Sequence, residues 1–392
     1  MKKLALAAAL AMVAGAAGAQ VKVGVILGFT GPLESITPGM AASAELAFKE
    51  ASDSGALLGG QKVVPVRADS TCIDAAAATA AAERLITSDK VAAIMGADCS
   101  GVTTAIANNV AVPNGVTMVS PSATSPALTT IDDKGFFFRT APSDARQGEV
   151  LANIVKGRGI SNVAVTYTNN DYGKGLSESF KSAFEKIGGK IAMTAAHEDG
   201  KADYSAEVGA LAASGAKALA VFGYIDQGGK GVIQGSLDAG AFDKFIVADG
   251  MVGQSIVDAI GKDLNGTFGT LPGSDSDGAK KFTEMAKAAG IDPSGPYRGE
   301  SYDAAALIVL AMQAAGSADR AAIQSKIMSV ANAPGVKILP GELAKGLKIL
   351  AEGGEINYEG ATAVELTAVG EAAGSYKELE VKDGGFKTIK IH

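Results

Sequence analysis

The sequence predicts an α/β protein built from two doubly wound halves, each wrapped around a parallel sheet. Three observations lead there. Short apolar runs bounded by Gly, Pro, Ser and Asp alternate with stretches of helical spacing. The alternation ends at Phe136-Phe137-Phe138-Arg139-Thr140 and starts again at Asp144. Small hydroxyl residues follow two of the apolar runs, at the carboxyl ends of strands where open α/β sheets bind ligands.

In chain order, the first half offers strands at 21–27, 63–68, 91–95, 115–119 and 136–140, with helices at 40–50 and 74–88 and a third running on from Val102 through Val110. The second half offers strands at 162–167, 190–195, 218–222 and 245–248. Its helices fall at 144–155, 176–187, 204–213 and 231–239, and Thr168 to Gly175 reads as a loop. Helices at 279–289 and 301–315 follow, and a hairpin of 376–381 with 386–391 turns at Asp383-Gly384-Gly385. No short-period repeat interrupts this order.

At 392 residues the chain is long enough for two domains with a core each. Its net charge of −7 and the absence of any Lys/Arg run argue against nucleic acid and anionic membranes as partners. Met1-Lys2-Lys3, the apolar stretch Leu4 to Ala16 and Ala17-Gly18-Ala19 form a signal peptide over residues 1–19. Its apolar part is too short for a membrane span, and no later stretch inserts in a bilayer. The product is exported to the periplasm. There Cys72 and Cys99, with nothing else to pair with, form one disulfide.

Enzyme readings lack material. His197 and His392 are the only histidines, so neither a histidine metal site nor a Ser-His-Asp triad can be assembled. Gly24, Gly28 and Gly31 miss the dinucleotide spacing, the Gly-Lys-Gly triplets miss the phosphate-loop pattern, and Ser100 lacks a nucleophile elbow. No cofactor is expected. What remains is binding chemistry. Ser100 and the cluster Ser120-Pro121-Ser122-Ala123-Thr124-Ser125 form a hydroxyl cradle for a carboxylate, with helix capping as the alternative role. Tyr172, Tyr224, Asp249 and Tyr297 face it from strand ends and the segment after them, and suit an ammonium and an apolar side chain.

Nearly the whole exported chain resembles the periplasmic substrate-binding proteins of branched-chain amino acid ABC transporters. The resemblance rests on Val23-Gly24-Val25-Ile26-Leu27-Gly28-Phe29-Thr30-Gly31-Pro32 and the Cys72 and Cys99 pair. It rests also on Ser120-Pro121-Ser122-Ala123-Thr124, Phe138-Arg139-Thr140 and Asp171-Tyr172-Gly173-Lys174-Gly175, all in the family's order. It implies a type I periplasmic binding fold whose two lobes, joined by three crossovers, close on ligand. The lobes expected are 20–140 plus 271–370 and 141–270 plus 371–392, with passages near Ala141, Thr270 and Gly370.

The resemblance further implies that Ser100, Ser122 and Thr124 hold an α-carboxylate and Asp249, where Glu is commoner, the α-ammonium. It implies aromatic contacts from Tyr172, Tyr224 and Tyr297, and a monomer that delivers its ligand to permease subunits. Glu34 and Arg298 depart from leucine-type binders, which leaves an amide or another polar or carboxylate ligand open. A sensory ligand-binding module and, more distantly, a secreted α/β hydrolase or dehydrogenase are the rival functions.

Overall fold

The computed structural model describes residues 20–392. The signal peptide expected over residues 1–19 lies outside them. The first sheet is wholly parallel, with strands β1 (Gln20–Leu27), β2 (Lys62–Asp69), β3 (Ala93–Gly96), β4 (Thr117–Ser120) and β5 (Phe137–Arg139) in the order β2-β1-β3-β4-β5. Helices cover it, so Val23, Val25, Ile26 and Leu27 are all fully buried. That explains why β1 reads as a continuous apolar run rather than an alternating one.

The second sheet holds β6 (Asn162–Thr168), β7 (Lys190–His197), β8 (Leu219–Phe222), β9 (Phe245–Val247) and β10 (Phe268–Pro272). After the pair β11 (Val336–Ile338) and β12 (Ile356–Tyr358), strands β13 (Tyr376–Lys382) and β14 (Gly385–Ile391) complete it. Its order is β14-β13-β10-β9-β8-β6-β7, parallel except where β13 runs against β10 and β14 against β13. The chain passes between the sheets at Arg139 to Asp144, again after Pro272, just beyond Thr270, and between Ala372 and Tyr376. The helix Arg298–Ala315 is apolar all round from Ala304 to Met312, and that stretch is fully buried beneath the first sheet.

Several helices begin earlier than the sequence reading had them. The segment read as a loop through Gly175 is already helical from Asp171, with the Asn170 side chain accepting from Gly173 N at 3.1 Å as its cap. The next helix but one starts at Gly228 rather than 231. Glycine lowers helix propensity, but here it serves close approach. A Cβ on Gly173 would lie 2.3 Å from the Thr168 carbonyl oxygen. The short helices Gln254–Ile260, Arg320–Gln324, Ile327–Ala331 and Leu343–Ala351, with β11 and β12, have no counterpart in the sequence reading.

Cys72 and Cys99 form the expected disulfide. They follow β2 and β3, which flank β1, so the bridge lies across the end of β1 at Gly28. A Cβ on Gly28 would sit 3.0 Å from Cys72 Cβ, which leaves room for little but glycine. The bridge spans a sequence separation of 27. Replacing both cysteines by serine should lower stability by about 3–4 kcal/mol on the chain-entropy account, read from urea midpoints.

His197, at the end of β7, is buried with Nδ1 2.8 Å from the Thr166 hydroxyl. Burial lowers its pKa from 6.5 to about 4. The unfolded chain therefore takes up this proton before the native one does. Its contribution is complete above pH 6.5 and is lost as pH falls toward 4, by about 2–3 kcal/mol at pH 4.5. Burial raises Glu300 to about 7 and Asp303 to about 6, which acts in the opposite direction. Urea unfolding of wild type and His197→Gln at pH 7.5 and pH 4.5 isolates the histidine, with the larger loss expected in wild type.

Candidate functional site

The carboxyl ends of β3, β4, β8 and β9 converge between the two sheets. They bring Ser100, Ser122, Tyr224 and Asp249 to one cavity, joined by Tyr172 from the helix after β6 and Tyr297 from the return to the first sheet. Thr124 is the exception among the expected residues. It is buried outside the cavity lining, and its carbonyl accepts from Asp144 N at 2.9 Å.

The hydroxyls of the cradle differ in what they can still do. Ser100 Oγ accepts from Ser125 N at 3.1 Å, so its own proton is free to be donated. Ser122 Oγ donates its proton to the Asp98 carbonyl at 3.1 Å. Of the two, Ser100 is thus the donor for an incoming carboxylate. Asp98 also lines the cavity, but its carboxylate is engaged by Gly28 N at 2.9 Å and Ser70 Oγ at 3.0 Å. It pins the end of β1 to the cradle.

Opposite stands Asp249. Tyr297 donates to its Oδ2 at 2.5 Å and Tyr172 to its Oδ1 at 3.2 Å, while Gly250 N donates to the Tyr172 oxygen at 3.2 Å. Tyr297 holds its position from a left-handed backbone (φ 58°), which strains a non-glycine residue. Burial raises the Asp249 pKa, and the hydroxyls of Tyr297 and Tyr172 work against that rise. Burial also pushes the three tyrosines well above their ordinary value, so they remain neutral donors. No lysine, arginine or histidine pairs with Asp249 among the described residues. Tyr172 and Tyr224 stack at 5.3 Å to form one wall.

Leu33, Ile36 and Met40 supply an apolar wall that the sequence reading missed. Glu34, which had suggested a more polar pocket, is exposed and does not line the cavity. Arg298 does not line the cavity either. Its Nη1 donates to the Ile36 carbonyl at 2.5 Å and its Nε to the Asp292 carbonyl at 3.4 Å. Asp144, read only as a helix start, proves to be fully buried near Asp249. Its carboxylate lies against the Thr124 hydroxyl outside hydrogen-bond geometry. Burial and then the charge of Asp249 push its pKa well up, and its oxygens have no hydrogen-bond donor, whereas Asp249 accepts from two tyrosine hydroxyls that favour its charged form.

Two parallel-sheet lobes joined by three passages, with buried polar groups aimed into a cavity between them, define a solute-binding protein of the type I periplasmic fold. The chain belongs to the periplasmic binding protein family, whose profile matches residues 20–345. It is 31% identical over 323 residues to the Leu/Ile/Val-binding protein homolog 3 of Brucella melitensis, covering 80% of this chain and 84% of that one. It is 28% identical over 385 residues to the chemotactic signal transduction system substrate-binding protein BasB of Halobacterium salinarum, covering 96% and 90%. The crystal structure of the leucine binding protein LivK of Thermotoga maritima superposes with a TM-score of 0.77 at 26% identity, covering 95% and 98%.

Proposed function

We propose that this chain binds a zwitterionic amino acid of the branched-chain or a related aliphatic type between its lobes and hands it to an ABC permease. One observation carries the reading. Asp249 is a buried carboxylate held by two tyrosine hydroxyls and paired with no protein cation among the described residues. A buried charge is costly unless paired, and a ligand ammonium supplies the partner. Ser100 answers the carboxylate, and Leu33, Ile36 and Met40 with the stacked tyrosines enclose an aliphatic side chain. That wall favours an apolar side chain over the polar one that Glu34 and Arg298 had suggested.

Export through the segment 1–19, a periplasmic location and a monomeric state belong to the same proposal. The relatives named for Leu/Ile/Val and leucine binding support it. A receptor-linked role is the second reading, favoured by the chemotactic name of the Halobacterium salinarum relative. A thermal-shift screen of the twenty L-amino acids, their amides and small carboxylates tests the ligand class. Ligand at ~100 times its dissociation constant stabilises by about 2.7 kcal/mol. Aliphatic amino acids should give the largest shifts, and shifts confined to carboxylates without an ammonium would refute the reading. Chromosomal neighbours encoding permease and ATPase subunits, rather than a transducer, decide between delivery and sensing.

A further inference from the structure

The loop from Pro32 to Ile36 carries two residues of the apolar wall, yet its own backbone is held from both lobes. On its own side, Arg298 donates to the Ile36 carbonyl and fills the space beside Gly39, where a Cβ would lie 2.2 Å from the guanidinium carbon. From the other lobe comes Asp226, in the turn after Tyr224. Ser35 N donates to Asp226 Oδ2 at 2.9 Å, and Asp226 N donates to the Pro32 carbonyl at 3.1 Å. Ser255 Oγ donates to Asp226 Oδ1 at 3.0 Å and lies 3.1 Å from Ser35 Oγ. These bonds join chain positions 191 and 220 residues apart. Asp226 itself does not line the cavity.

We propose that Asp226 is a positioning residue for the bound ligand: it latches the closed form by seating the loop that carries Leu33 and Ile36. The grip of Arg298 lies within one lobe and persists when the lobes part. The grip of Asp226 crosses the cleft and forms only on closure. Asp226 therefore governs how long ligand is retained, and it does so without discriminating between side chains.

The inference rests on the amino-acid reading for its probes, which are L-leucine, L-valine and L-alanine. Stopped-flow tyrosine fluorescence gives association and dissociation rates for wild type, Asp226→Ala and Asp226→Asn. Hydrogen bonds to a charged group are worth enough that Asp226→Ala should raise the dissociation rate about tenfold or more. The factor should be the same for every probe that binds, with association changed less than about threefold. Asp226→Asn, which keeps an acceptor for Ser35 N, should fall between the two. The melting temperature of the ligand-free protein should stay at the wild-type value, because a bond made only on closure adds nothing to the open form.

An unchanged dissociation rate in Asp226→Ala, or a lowered ligand-free melting temperature that accounts for the loss, overturns the latch. If wild type binds none of the three probes, the amino-acid reading fails and the latch falls with it. Binding by wild type with no effect of Asp226→Ala removes the latch alone.

Discussion

Asp249→Asn should weaken amino-acid binding by about 30-fold or more. The carboxylate lies in a buried pocket with Tyr172 and Tyr297 on its two oxygens and no protein cation beside it among the described residues. Removing one charge of a buried, hydrogen-bonded pair typically costs about 2–5 kcal/mol, because the other is left unpaired. Each 1.4 kcal/mol or so is tenfold in affinity. The substitution is nearly isosteric, so the melting temperature without ligand should hold. Its pH behaviour has a fixed sign. Burial raises the Asp249 pKa in the free protein, so acidification through that pKa protonates the group an ammonium needs, and affinity falls. In Asp249→Asn this fall should disappear. Calorimetry on both proteins between pH 5 and pH 8 checks the loss and its slope together.

The second large effect concerns stability. Arg139, at the first passage between the sheets, is fully buried, and its guanidinium donates to the Ala123 and Ser125 carbonyls at 3.0 and 2.9 Å. It also donates to Thr129 Oγ1 at 2.9 Å and to Glu371 Oε2 at 2.5 Å. One side chain thus binds the cradle loop to the last passage. Glu371→Ala should cost about 3–5 kcal/mol, because the guanidinium keeps its burial and loses its counter-charge. Glu371→Gln should cost less, since it retains an acceptor. Urea midpoints measure both, and an Ala variant as stable as wild type would show that the pair contributes nothing.

Much of the fold is legible because a parallel strand buried on both faces leaves a plain mark. Val23 to Leu27 and Leu219 to Phe222 are apolar runs closed by turn residues, and their succession fixes the βα rhythm. Helix starts at Asp171 and Gly228 are not legible in the same way. Propensity argues against Gly173 and Gly229, and the reason for them is the tertiary approach of Thr168 and Met251. The polar half of the site can be read off strand ends, as Ser100, Tyr224 and Asp249 show. Its apolar half cannot. Leu33 and Ile36 sit in an irregular loop with no period, so nothing in the sequence says that they turn inward while Glu34 stays exposed. Asp144 is hidden for a related reason. An acid beginning a helix is ordinary, and only the packing reveals that this one is buried near a second acid.

The central claim is that one ligand ammonium meets Asp249 inside the closed cleft. Calorimetric titration of the purified protein with L-leucine and with 4-methylpentanoate, the same skeleton without the ammonium, tests it most directly. The account predicts that wild type binds L-leucine about 30-fold or more tightly than 4-methylpentanoate, and that Asp249→Asn narrows the gap by weakening the amino acid alone. Equal affinity of wild type for the two compounds would contradict it.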